Sequence, residues 1–151
     1  MKHYHKILVG LDLHPHYDNT PLKRALDIAK DNDASLYTIH VIEHIPAYSL
    51  GQAYPSIIDL EEEIMKEAAK EMKKIGHHYN ISEEKQILVM GSPKTLIIEQ
   101  AEKLKIDLIV VGSHGRHGLS LLMGSTASSV LSHAACDVLA VRQMKEHNHT
   151  G

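Results

Sequence analysis

Tryptophan and phenylalanine are absent from this chain, and tyrosine occurs only six times in 151 residues. Aromatic platforms on which a single nucleic-acid strand could stack are therefore scarce. A basic excess is missing too: 16 Lys and Arg stand against 19 Asp and Glu, a net charge of −3, which leaves no electrostatic footprint for nucleic acid. No apolar run approaches the eighteen or so residues of a membrane span. The run at 7–11 is too short for a signal peptide, and no small-residue cleavage site follows it. Cys136 is the sole cysteine, so an internal disulfide is excluded and a reducing, cytoplasmic setting is expected. Its apolar neighbours predict packing rather than reactivity. Neither a nucleic-acid nor a membrane partner is expected.

Several catalytic signatures are missing as well. No Gly-Lys-Ser/Thr follows a glycine as in a Walker A loop, and there is no G-x-G-x-x-G fingerprint. A Gly-x-Ser-x-Gly elbow, a His-Glu-x-x-His pair and a paired-carboxylate motif are all lacking. Binding is favoured over turnover.

What remains is 43% hydrophobic and 23% charged, the balance of one ordinary globular domain. We read the domain as residues 1–144 and 145–151 as a polar tail. Short Val/Ile/Leu runs at 7–11, 35–43, 86–90, 107–111 and 137–142 predict strands. Between them fall four helical patterns. Thr20 and Pro21 offer a cap and a first-turn proline, with Leu22, Ala25, Leu26 and Ala29 inward. A long helix at 57–79, capped by Ser56, carries Ile57, Leu60, Ile64, Ala68, Met72 and Ile75 along one side. Its glutamates come early and its lysines late, which suits the helix dipole. Ser92 and Pro93 open a third helix, and a fourth occupies 125–134 with Ala127, Val130, Leu131 and Ala134 inward. The Pro- and Gly-bearing segment 45–55 reads as a loop. This strict alternation of strand and helix predicts an α/β fold: a single open, mostly parallel sheet with helices on both faces.

The last third of the chain holds the candidate site. Between the strands at 107–111 and 137–142 lie Gly112-Ser-His-Gly115, the stretch 116–123, and Gly124-Ser125-Thr126 at the start of a helix. Gly112, Gly115, Gly118 and Gly124 predict backbone freedom and close approach, with Ser125 or Thr126 as the N-cap hydroxyl. A helix N-terminus presents free N–H groups and positive potential, which suits phosphate.

These residues resemble the universal stress proteins, whose nucleotide-binding members carry G-x-x-G, nine residues, then G-S/T. Gly112 and Gly115 match the first pair and Gly124-Ser125 the second, with eight residues, 116–123, between them. The resemblance spans the chain and implies a Rossmann-like five-stranded sheet of order 3-2-1-4-5. In such a sheet ligands bind outside the C-terminal ends of the first and fourth strands, here Leu11-Asp12 and Val111-Gly112. It also implies ATP as the ligand, with Mg²⁺ brought in on its phosphates. Asp12 would receive the ribose, Val41 would flank adenine, His114 and Gly115 would lie against the phosphates, and Gly124, Ser125 and Thr126 would donate to them. Arg116 and His117 either add positive charge or face solvent. Relatives pair their last strand across a two-fold axis, so a homodimer through Asp137–Arg142 is expected; an unpaired apolar edge is a liability in any case.

Thirteen histidines are present, with His14, His16, His77, His78, His147 and His149 in close pairs. None has a second Cys or His at zinc-site spacing, and we read them as solvated side chains rather than metal ligands. Two functions of different class stand side by side. The glycines favour a nucleotide-binding stress protein. The eight-residue spacing favours a dimeric interaction protein of the same fold that binds no nucleotide.

Overall fold

The computed structural model describes residues 3–13, 18–46, 57–113 and 124–143. Its elements run β1 (Lys6–Gly10), α1 (Thr20–Asn32), β2 (Ser35–Ile42), α2 (Ile57–Tyr79), β3 (Gln86–Met90), α3 (Pro93–Leu104), β4 (Leu108–Ser113), α4 (Ser125–His133) and β5 (Asp137–Arg142). A short 3₁₀ turn, Glu83–Lys85, leads into β3. The strands form one sheet of order β3-β2-β1-β4-β5, parallel at every pairing, as the alternation and the resemblance predicted.

Strand alternation sorts the apolar residues onto two faces. Ile7, Val9, Leu108 and Val110 pack with Leu22, Ala25 and Ala29 of α1. Leu8, Ile39, Ile109 and Val111 pack with Ile97 and Ala101 of α3 and with Ala127 and Val130 of α4. The central strands are therefore covered on both sides, which is why they read as unbroken apolar runs. Ile7, Leu8, Val9, Ile109 and Val110 are fully buried, each worth about 1.5–3 kcal/mol of transfer free energy.

Three helices stop in the same way. Asp33, Asn80 and Lys105 adopt φ of 54°, 58° and 57°. The amide of the next residue then reaches back five positions: Ala34 to Ala29, Ile81 to Gly76, and Ile106 to Ala101. Each turn satisfies orphan carbonyls and delivers the chain to the following strand. At the N-terminal end of the sheet, Asp107 accepts from the amides of His5 (2.8 Å) and Lys6 (3.0 Å), clamping the entry to β1 beside that to β4.

Several local expectations need correction. Asn19, not Thr20, is the N-cap of α1; Thr20 is helical, and its amide bonds Asp18 Oδ1 at 3.1 Å. Gly124 caps α4, so Ser125 and Thr126 occupy the first turn, and no side-chain hydroxyl caps it. Leu131 is 41% exposed because the sheet takes Ala127 and Val130 instead. Along α2 the buried row is Ala68, Met72 and Gly76, while Ile64 sits at the rim, 37% exposed. Ser56, segment 47–55 and the tail 145–151 lie outside the described residues.

Candidate functional site

The strand order reverses between β1 and β4, and hydrogen bonding there explains the opening. The β1–β4 register ends at Val9↔Val110. Beyond it the β1 chain follows β2, with the Leu11 amide bonded to Ile39 O at 2.7 Å. Strand β4 instead stays with β5 through Ser113↔Arg142, and the Gln143 amide bonds Ser113 O at 3.0 Å. The two central strands therefore part at their C-terminal ends, the place where such sheets bind ligands.

The cleft encloses about 260 Å³. Of the residues singled out in the sequence, Leu11, Asp12, Val41, Gly112 and Thr126 line it. Gly124 and Ser125 stand at the start of α4 beside Thr126 but are not among its lining residues. His114, Gly115, Arg116, His117 and Gly118 lie outside the described residues, as do His14, His16, His147 and His149.

The φ freedom expected of the glycines is not used at the two described anchors. Gly112 is an extended β4 residue and Gly124 has φ −55°. Space, not backbone freedom, is what Gly112 supplies. A Cβ there would stand 2.6 Å from Gln143 Oε1 and 3.3 Å from Pro21 Cγ. At Gly124 a Cβ would meet nothing within 4 Å.

Charge is distributed unevenly across the cleft. The first turn of α4 holds no acidic side chain, so none from within that turn offsets the positive end of the helix. Asp12 and Glu43 lie at the β1–β2 end. An anion is thus favoured beside Thr126, and hydroxyl or cationic groups beside Asp12. A wider, mostly apolar groove of about 530 Å³ continues past Asp12, His40, Val41 and Glu43 to α2, where Ile64 and Ala68 meet Glu63, Glu67 and Glu71.

His40, Glu43 and Gln143 are among the cleft residues that escaped the sequence reading. His40 Nδ1 lies 2.8 Å from Leu11 O, and since a carbonyl only accepts, Nδ1 carries the proton. A polar residue at an inward position near the end of an apolar strand was the available signal. Gln143 gave no such signal, being the first residue after the last strand. The residue is 6% exposed, and its carboxamide donates through Nε2 to Asp18 O at 2.8 Å. Away from the cleft, Cys136 is half-buried just before β5, where burial, then the charges of Asp137 and Asp107, push its thiol pKa up. A protonated thiol is a poor nucleophile.

Among the described residues, no helix is long and apolar enough to cross a membrane. A family model described as the universal stress protein family matches residues 3–142. Universal stress protein A homolog 2 of Coxiella burnetii (strain RSA 493 / Nine Mile phase I) is 46% identical over 142 residues, covering 94% of this chain and 97% of that protein. Among solved structures, universal stress protein UspA from Lactobacillus plantarum matches with a TM-score of 0.72 at 26% identity, over 92% of this chain and 98% of that one. A universal stress protein in complex with cAMP matches with a TM-score of 0.57 at 26% identity, over 91% of this chain and 96% of that one. Sequence, sheet order and cleft agree: this chain belongs to the universal stress protein family.

Proposed function

We propose that this universal stress protein serves a cytoplasmic stress response by binding ATP, or a related adenine nucleotide, in the cleft between β1 and β4. The observation that carries the reading is the meeting of Asp12, Val41, Gly112 and Thr126 around one opening, although they come from four different elements and connections. A structural relative that binds cAMP supports the same ligand class. Adenine lies against Val41, the ribose by Asp12, and the phosphates face the first turn of α4, with Gly124, Ser125 and Thr126 donating to them. Asp12 and Glu43, the carboxylates lining the cleft, would meet the hydration shell of a Mg²⁺ brought in on the triphosphate, which would offset part of the phosphate charge.

The protein binds rather than turns over its nucleotide, and it acts as a homodimer paired through β5. A second reading, a dimeric interaction protein without nucleotide, draws on the eight-residue spacing between Gly115 and Gly124.

Thr126→Asp separates the two. An aspartate in the first turn suits the helix dipole and leaves α4 folded, yet it sets a negative charge where the phosphates belong. A titration with a fluorescent ATP analogue should show affinity falling by about tenfold or more, an effect on the order of 1.4 kcal/mol. Absence of binding to the wild-type protein removes the first reading and leaves the second. Phosphate release over many turnovers would instead reveal a hydrolase.

A further inference from the structure

Gln143 ends the β5 strand, and its side chain turns back beneath the cleft. Its residue exposure is 6%, and its Nε2 lies 2.8 Å from Asp18 O. Because that carbonyl can only accept, the amide group must face it, and this orients the carboxamide. The oxygen, Oε1, is left beside Gly112, in the space that a Cβ at that position would fill. Among the described residues no donor reaches Oε1, although Gln143 lines the cleft. A buried carbonyl oxygen without a donor is costly, and folded proteins seldom keep one.

We infer that Gln143 is a specificity-determining residue of the cleft, its carboxamide oxygen accepting a hydrogen bond from a sugar hydroxyl of the bound nucleotide. The inference rests on the nucleotide reading above and names the part of the ligand that is read. A triphosphate offers only acceptors at neutral pH, so the donor is either the base amino group or a sugar hydroxyl. Val41 lies on β2, and the sheet order sets β2 three strand spacings from β5, about 14 Å. A base seated at Val41 keeps its amino group away from Gln143. The sugar falls between them, over the ends of β1 and β4, where Asp12 and Gly112 lie. The bare backbone at Gly112 is what leaves room for this oxygen.

The experiment titrates ATP, 2′,3′-dideoxy-ATP and inorganic tripolyphosphate against the wild-type protein and Gln143→Met, a side chain of similar length without the amide. Thermal melts of both proteins report on the fold. The wild type is expected to prefer ATP to the dideoxy nucleotide by about tenfold, the scale of one well-placed hydrogen bond in a buried site. In Gln143→Met that preference should shrink severalfold, leaving only what Asp12 contributes, with tripolyphosphate binding the same in both proteins. An equal ratio in the two proteins, or no preference in the wild type, overturns the inference while ATP binding itself stands. A wild type that binds no ATP defeats the nucleotide reading and this inference with it.

Discussion

Gly76 shows how far one missing side chain matters. An alanine at an exposed position inside a helix is ordinarily better than glycine by about 1 kcal/mol. Here the residue is buried where α2 meets β3, and an added Cβ would run into the Gln86 carboxamide and stand 2.9 Å from Ile81 O. The same carboxamide donates to Ile81 O at 2.9 Å, so it cannot swing away freely. Gly76→Ala should therefore destabilise by about 1–3 kcal/mol in urea unfolding; increased stability in that measurement would refute this packing. Glycine roles were the least legible part of the sequence. Left-handed turns fall to Asp33, Asn80 and Lys105, and Gly112 is extended, because backbone conformation is decided by where the chain must go next. Gln143 was illegible for a related reason: its partner, Asp18, lies 125 residues away.

Among the elements, α2 is held at its first turns by a carboxylate. Glu61 Oε2 accepts from the Ile45 amide and meets His44 Nδ1, both at 3.0 Å. The amide bond chiefly, then the His44 ring, holds the Glu61 carboxyl below the usual glutamate range, outweighing the opposite pull of burial. A depressed folded-state value means that the stabilisation is present above the unfolded pKa of about 4.3 and fades as pH falls through the lower folded value. Thermal melts should show Glu61→Gln below wild type at pH 7, with the gap closing under about pH 4. A gap independent of pH would remove the carboxylate from this role. The strands themselves were readable because β1 and β4 are covered on both faces, leaving apolar runs with nothing to interrupt them. The buried side of α2 was read less well. Periodicity marks a stripe, but the small Ala68 and Gly76 allow close approach along one row and leave Ile64 at its border.

At the scale of the whole molecule, β5 closes one side of the sheet and, among the described residues, pairs only with β4. Tyr4 Oη donates to Asp137 Oδ2 at 2.8 Å, fastening the chain's beginning to the start of that strand. Val138, Leu139 and Ala140 are only half-buried in the single chain. Pairing with a second copy would cover this outer edge and its backbone groups. Light scattering at micromolar concentration should return twice the 16.8 kDa chain mass, and a monomer's mass would end the dimer proposal.

The Asp107 clamp joins His5 and Lys6 to a residue about a hundred positions later in the chain. Synthesis from the N-terminus therefore makes one wall of the opening early and the other late. A nascent chain that ends before Asp107 has β1, β2 and β3 but no β4 for them to part from. Such distant pairings form slowly. The cleft between β1 and β4 is complete only when the final third has left the ribosome, and a product truncated before β4 lacks that wall.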